Sequence, residues 1–191
     1  METKAEVRVS AEIRDRECSG VFLLPGHAHA VDATWKPRQR GRLPRKYTGD
    51  GQGAVKDVSP PLEWYGVPEA ARSLALVVED VDAPAEADSP VVPWTHWVVV
   101  NIPPTARGLP EGFSSKEEAA GGEYAGIKEG HNDWKVPGWR GPKPPTSGHR
   151  ISFKLYALDQ PLHLGNKVTK EKLQDSMEGH VVGEAELIAI F

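Results

Sequence analysis

The chain predicts a mostly β protein with largely antiparallel sheets, and three observations carry that prediction. Runs of strand length, rich in β-branched and aromatic residues, recur at 62–64, 73–79, 96–102, 150–158 and 180–190. The 17 prolines and 19 glycines exceed the usual share without reaching the level of disorder, which fits a loop-rich fold. Turn signals such as Pro103-Pro104 and Gly121-Gly122 separate the runs and leave no room for the helical crossovers that parallel strands need.

Taken in order, Val7, Val9 and Ala11 alternate with charged and polar residues and read as a first strand, half buried and at a sheet edge. Residues 16–40 show neither strand nor helix period. They mix a short apolar run, Cys18, His27, His29, Trp35 and a basic stretch, and they read as a loop insertion within a single domain spanning 1–191. After the strands at 62–64, 73–79, 96–102 and 150–158, the period changes between Thr169 and Gly179. Thr169 suits an N-cap, Glu171 suits the positive helix end, Leu173 and Met177 share a face, and Gly179 suits the residue just past the end. One short helix near the C-terminus is expected there, followed by a last strand over 180–190.

Two strand-like runs carry ionisable side chains where an apolar margin is expected. Val77-Val78 lead into Glu79-Asp80-Val81-Asp82, and alternation sends Asp80 and Asp82 to one side. His96 opens one later run and His149 immediately precedes another. Should neighbouring strands bring these ends together, a carboxylate and two imidazoles share a small cup suited to an anion or a polar headgroup. His149 follows a Gly- and Pro-rich loop, 141–148, that can bring backbone N–H groups close to a ligand, with Gly141 and Pro142 of the loop as ligand-contacting residues. Trp94 and the prolines Pro142 to Pro145 supply rigid walls.

Each residue has a plainer reading. His149 and His96 can be satisfied structural residues, Asp80 and Asp82 can be turn formers ahead of Ala83-Pro84, and Trp94 can be ordinary core. We assign Asp80 to the cup and Asp82 mainly to turn support. A carboxylate beside an anion site needs a reason, because like charges repel at low effective dielectric. Asp80 supplies it by holding one imidazole nitrogen, which fixes the tautomer, favours the charged ring and leaves the other nitrogen facing the ligand. On this reading, phosphate binding weakens as pH rises. An ammonium head can also use Asp80 directly.

The same residues carry a resemblance. The ordered motifs SPPLEW, LVVEDVDAP, HWVVVNIPP, GPKPP, GHR, LYALD, EGH and EAEL resemble the phosphatidylethanolamine-binding protein family, also called Raf kinase inhibitor-like, over nearly all of 41–191. The EGHND and PGWRGPKPP stretches look more like its compact bacterial and plant branch. The resemblance implies an antiparallel β-sandwich with a few peripheral helices, and a ligand pocket that includes Asp80, His96 and His149. It implies a phospholipid headgroup or other small anionic ligand and a protein kinase or other signalling protein as partners. Family members often carry an aromatic residue two positions after the histidine that corresponds to His149; here Ile151 stands there, without a hydroxyl. The fold tends to use cis peptides at positions matching Ala83-Pro84 and Val92-Pro93.

Composition narrows the field further. A net charge of −4 with dispersed Lys and Arg argues against nucleic-acid binding. Cys18 is the single cysteine, 1–16 is too charged for a signal peptide, and no apolar run is long enough to cross a bilayer. The cytoplasm and, at most, peripheral membrane contact are expected. A non-catalytic binding protein without cofactor or metal is the leading function. The alternatives are a hydrolase using His96 or His149 as general base with Asp80 as its orienter, and a protease inhibitor, for which 114–129 is too Gly-rich and charged to be preorganised. Serine-hydrolase, phosphate-loop and HExxH signatures do not occur. Asp80, His96 and His149 lack the tight spacing of a zinc site.

Overall fold

A computed structural model describes residues 41–49, 57–83, 93–113 and 122–191, and before them the backbone of two short strands, β1 (Ala5–Glu6) and β2 (Arg8–Ser10). The expected insertion at 16–40 lies outside the described residues, as do Pro84 and Val92 of the two X–Pro bonds singled out above. The remaining strands are β3 (Leu62–Tyr65), β4 (Ser73–Asp80), β5 (Trp94–Ile102), β6 (Gly108–Leu109), β7 (Lys128–Glu129), β8 (Arg150–Leu158) and β9 (Val181–Ile190). They form a six-stranded sheet in the order β1-β9-β8-β4-β5-β7 and a three-stranded sheet in the order β2-β3-β6. Among the described strands every pairing is antiparallel except β1 with β9. The mostly β, antiparallel reading therefore holds.

The N-terminal strand differs from expectation. One strand was expected around Val7 and Val9, whereas β1 pairs with β9 and β2 pairs with β3, at the edges of different sheets. A segment that passes from one sheet to the other at a corner can pair with each for only a few residues. The two-residue strands β6 and β7 were also not foreseen. They are too short to show a period, and their partners define them: Leu109 lies opposite Leu62, and Glu129 opposite Val99.

Strand β4 is buried at every position because it is central and covered on both faces. Leu74, Leu76 and Val78 point between the sheets and meet Trp97, Val99, Phe153 and Leu155 from their own sheet, with Leu62, Trp64 and Leu109 from the other. Ala75 and Val77 point the opposite way, into a second cluster with Val98, Val100, Leu158, Val168 and Leu173. Each of the Val, Leu and Phe side chains among them contributes about 1.5–3 kcal/mol on leaving water.

The second cluster is closed by helix α1 (Lys170–Met177). It starts where the sequence places it, since Thr169 is extended and its hydroxyl accepts from Lys172 N at 3.4 Å. Gly179 follows at φ +79°, a conformation glycine adopts without steric cost. Leu173 is the fully buried side chain of α1, and Lys170 forms a shielded ion pair with Glu79 at 2.5 Å.

Candidate functional site

Alternation along β4 places Asp80 on the same face as Val78, at the end of the core between the sheets. Its register partners are Trp94 on β5 and Ile151 on β8. His149 lies two residues before Ile151 and so belongs to that face. Simple alternation would send His96 to the other face with Val98 and Val100. A bulge prevents this: Val78 pairs with Trp97 but Glu79 pairs with Thr95, so His96 is the extra residue. The bulge turns its ring toward Trp139 of the inter-sheet core, at 6.4 Å between centroids. Asp80, His96 and His149 are thus brought to one end of one core, and they are 4%, 2% and 8% exposed.

Hydrogen bonds set the tautomers. His149 Nδ1 lies 2.7 Å from Asp80 Oδ2; the carboxylate accepts, so Nδ1 carries a proton and Nε2 faces outward. Nε2 meets the hydroxyl of Thr146 at 3.1 Å. His96 Nδ1 donates to the carbonyl of Arg140 at 2.8 Å, which leaves Nε2 of the neutral ring as an acceptor. Burial pushes the His96 pKa below 6.5, against the pull of that carbonyl and of the Asp80 charge. The two rings therefore differ in role. His149 is oriented by a buried carboxylate, and His96 by a backbone carbonyl.

Asp80 Oδ1 accepts from Asp82 N at 2.9 Å, which ties the turn after β4 to the cluster. Asp82 itself forks Arg150, with bonds from its backbone N (2.9 Å), Nε (2.8 Å) and a terminal nitrogen (2.6 Å). The guanidinium holds the Asp82 carboxyl down at about 2. Ile151, the register partner of Asp80, is fully buried in the core. Trp94 is 41% exposed and packs edge-on to Trp134 at 5.4 Å, and Trp134 in turn covers His96 at 5.1 Å.

The loop 141–148 differs from expectation in one respect. The N–H of Gly141 donates to Asp57 Oδ1 at 3.0 Å and is already used. A Cβ on Gly141 would come within 2.7 Å of the Thr48 carbonyl carbon and 2.8 Å of Gly49 N, so close backbone packing demands the glycine. Pro142 is buried, and its carbonyl accepts from Gly49 N at 2.9 Å. Pro145 is exposed, and it is its neighbour Thr146 that reaches His149. Sequence reasoning missed Asp57, Trp134, Arg140 and Thr146. Only Thr146 left a signal, three residues before His149 in PPTSGH. An open hollow lined by Gln174, Met177, Glu178 and Val181 lies at the other end of β8, where Val181 pairs with Leu158.

The arrangement offers an outward imidazole nitrogen backed by a buried carboxylate, a second imidazole beside it, and aromatic cover. No helix of the described residues is long and apolar enough to cross a membrane. Comparison with known proteins gives a consistent picture. The family model described as phosphatidylethanolamine-binding protein matches residues 35–191. A UPF0098 protein of Methanothermobacter thermautotrophicus is 47% identical over 152 residues, covering 80% of this chain and 91% of the relative. One from Chlamydia pneumoniae is 40% identical over 149 residues, covering 78% of this chain and 89% of the relative. A crystal structure of a phosphatidylethanolamine-binding protein homologue from Chlamydia trachomatis superposes with a TM-score of 0.72 at 29% identity, covering 98% and 97% of the two chains. Escherichia coli YbcL superposes with a TM-score of 0.71 at 25% identity, covering 98% of each.

Proposed function

Because the chain belongs to the phosphatidylethanolamine-binding protein family, we propose that it is a binding protein whose Asp80, His96 and His149 cluster holds a phosphate-type anion, such as a phosphoethanolamine headgroup. The observation that carries this reading is the 2.7 Å contact of His149 Nδ1 with Asp80, which leaves Nε2 outermost. A second proton on that ring turns Nε2 into a charged donor, with the carboxylate behind it offsetting the charge. An ammonium group on the same ligand finds its counter-charge in Asp80. Modulation of a protein kinase or another signalling partner belongs to the same reading on the family resemblance alone, and residence in the cytoplasm on composition.

The His96 environment gives the pH dependence its sign. With Nδ1 committed to Arg140 O, neutral His96 presents a lone pair that repels a phosphate oxygen, and protonation of Nε2 reverses this. Burial lowers the pKa below 6.5, so the free protein gains that proton only in acid. Anion binding stabilises the protonated ring and takes up a proton, so affinity rises as pH falls, by up to about tenfold per unit for one proton. Calorimetric titration of inorganic phosphate and of phosphoethanolamine between about pH 5.5 and 8 checks this. His149→Ala and Asp80→Asn are each expected to weaken phosphoethanolamine by about tenfold or more, the scale of a lost charged hydrogen bond. Affinity that is unchanged in both variants would refute the proposed site.

A further inference from the structure

We infer that the cluster supports an activity beyond holding a ligand: Thr146 is a nucleophile, activated through His149 and Asp80, that accepts an acyl group from small carboxylic esters. Two consecutive contacts carry the inference. Thr146 Oγ1 lies 3.1 Å from His149 Nε2, and His149 Nδ1 lies 2.7 Å from Asp80 Oδ2. A hydroxyl, an imidazole and a carboxylate then stand in the order of nucleophile, base and orienter, each within proton-transfer reach of the next. Ser147, the hydroxyl nearer to His149 in sequence, has no such contact with the ring among the hydrogen bonds described.

The local backbone holds this relay in place. Pro144 and Pro145 stiffen the approach to Thr146. Gly148, at φ +93°, reverses the chain so that residues three apart face one another. The base of the turn is pinned by Gly148 N to Phe191 O and by Phe191 N to His149 O, both at 2.9 Å. Burial is graded as acyl transfer requires. Thr146 is exposed and can meet a substrate and water, while His149 and Asp80 are 8% and 4% exposed, so that their rigid surroundings hold base and orienter in register. Pro145, Thr146 and Ser147 are all exposed, so an acyl chain lies against solvent, which favours short acyl groups.

The chemistry balances with water as the only co-reactant. Thr146 Oγ attacks the ester carbonyl carbon while its proton passes to His149 Nε2, and Asp80 stabilises the imidazolium. Collapse of the tetrahedral intermediate breaks the bond to the alkoxy oxygen, and the leaving alcohol takes that proton. Water then adds to the acyl-Thr146 ester, with His149 again as base, releasing a carboxylic acid and restoring the hydroxyl.

The test uses 4-nitrophenyl acetate with the full chain. Nitrophenolate release above the solvent background is expected, with one acetyl group mapped by peptide mass spectrometry to Thr146. Thr146→Ala is expected to lose both signals at unchanged melting temperature, and Thr146→Ser to retain them. His149→Ala is expected to fall by about 100-fold or more, the scale of a lost general base. Hydrolysis in Thr146→Ala at the wild-type rate, or an acetyl group found on His149 or a lysine instead, would overturn the inference. Absence of turnover in both the wild type and Thr146→Ser would do so equally. Failure of the wild-type protein to bind phosphate or phosphoethanolamine would leave this result untouched, because the readout is the modified residue.

Discussion

At the scale of single residues, charge location decides what each group does. Asp82 and Arg150 fork one another at the surface, with side chains 32% and 47% exposed. The Asp82 pKa is lowered from 3.8 to about 2, so its contribution is present above about 3.8 and fades as pH falls through about 2. Solvent screening keeps it small, and Asp82→Asn is expected to cost less than about 1 kcal/mol in urea denaturation at pH 7. His96 has the opposite dependence on charge. Its folded pKa lies below the ordinary 6.5, so folding favours the neutral ring, and stability falls as pH drops below 6.5 until the folded ring also protonates. In His96→Asn that component should be missing, which parallel denaturant titrations at about pH 7.5 and 5.5 read directly. Asp80 and His149 were legible as site candidates because ionisable groups at strand margins stand out against apolar neighbours. Asp57 was not, since nothing local to it marks a carboxylate that will cap the N–H of Gly141, 84 positions away.

At the scale of elements, α1 was the most legible. Its cap, its dipole-matched Glu171 and its closing glycine are all contacts within about one turn, so the chain states them locally. Thr169→Ala is expected to cost about 1 kcal/mol, the usual worth of an N-cap, by chemical denaturation. Leu173→Ala empties a fully buried position against Val77 and Val98 and is expected to cost about 2–5 kcal/mol in the same assay. The long strands β4, β5, β8 and β9 were read to within a residue or two, because their β-branched runs span several pleats. The bulge at His96 was not, although it decides which face the ring takes. A bulge is a mismatch between two strands, and one strand read alone does not contain it.

At the scale of the whole molecule, the six-stranded sheet separates two neighbouring carboxylates by sending them to opposite faces. Asp80 meets His149 on the inter-sheet side, and Glu79 meets Lys170 of α1 on the other. The two pairs should therefore separate experimentally. Lys170→Met leaves a buried carboxylate without its cation and is expected to lower stability by about 3–5 kcal/mol. Phosphoethanolamine affinity in that variant should stay within about twofold of wild type, whereas Asp80→Asn should lower affinity first. Equal loss of affinity in both would show that the two faces are energetically coupled. By itself, the sequence determined the β-rich class, the long strands, the C-terminal helix and the candidate residues, because periodicity, caps and turn residues act over a few positions. The tertiary structure alone decided that Thr146 caps His149, that Arg140 orients His96, and that the Gly141 N–H is spent on Asp57. Those choices depend on which distant backbones touch, and contact between distant segments is set by the packing of two sheets rather than by any local pattern.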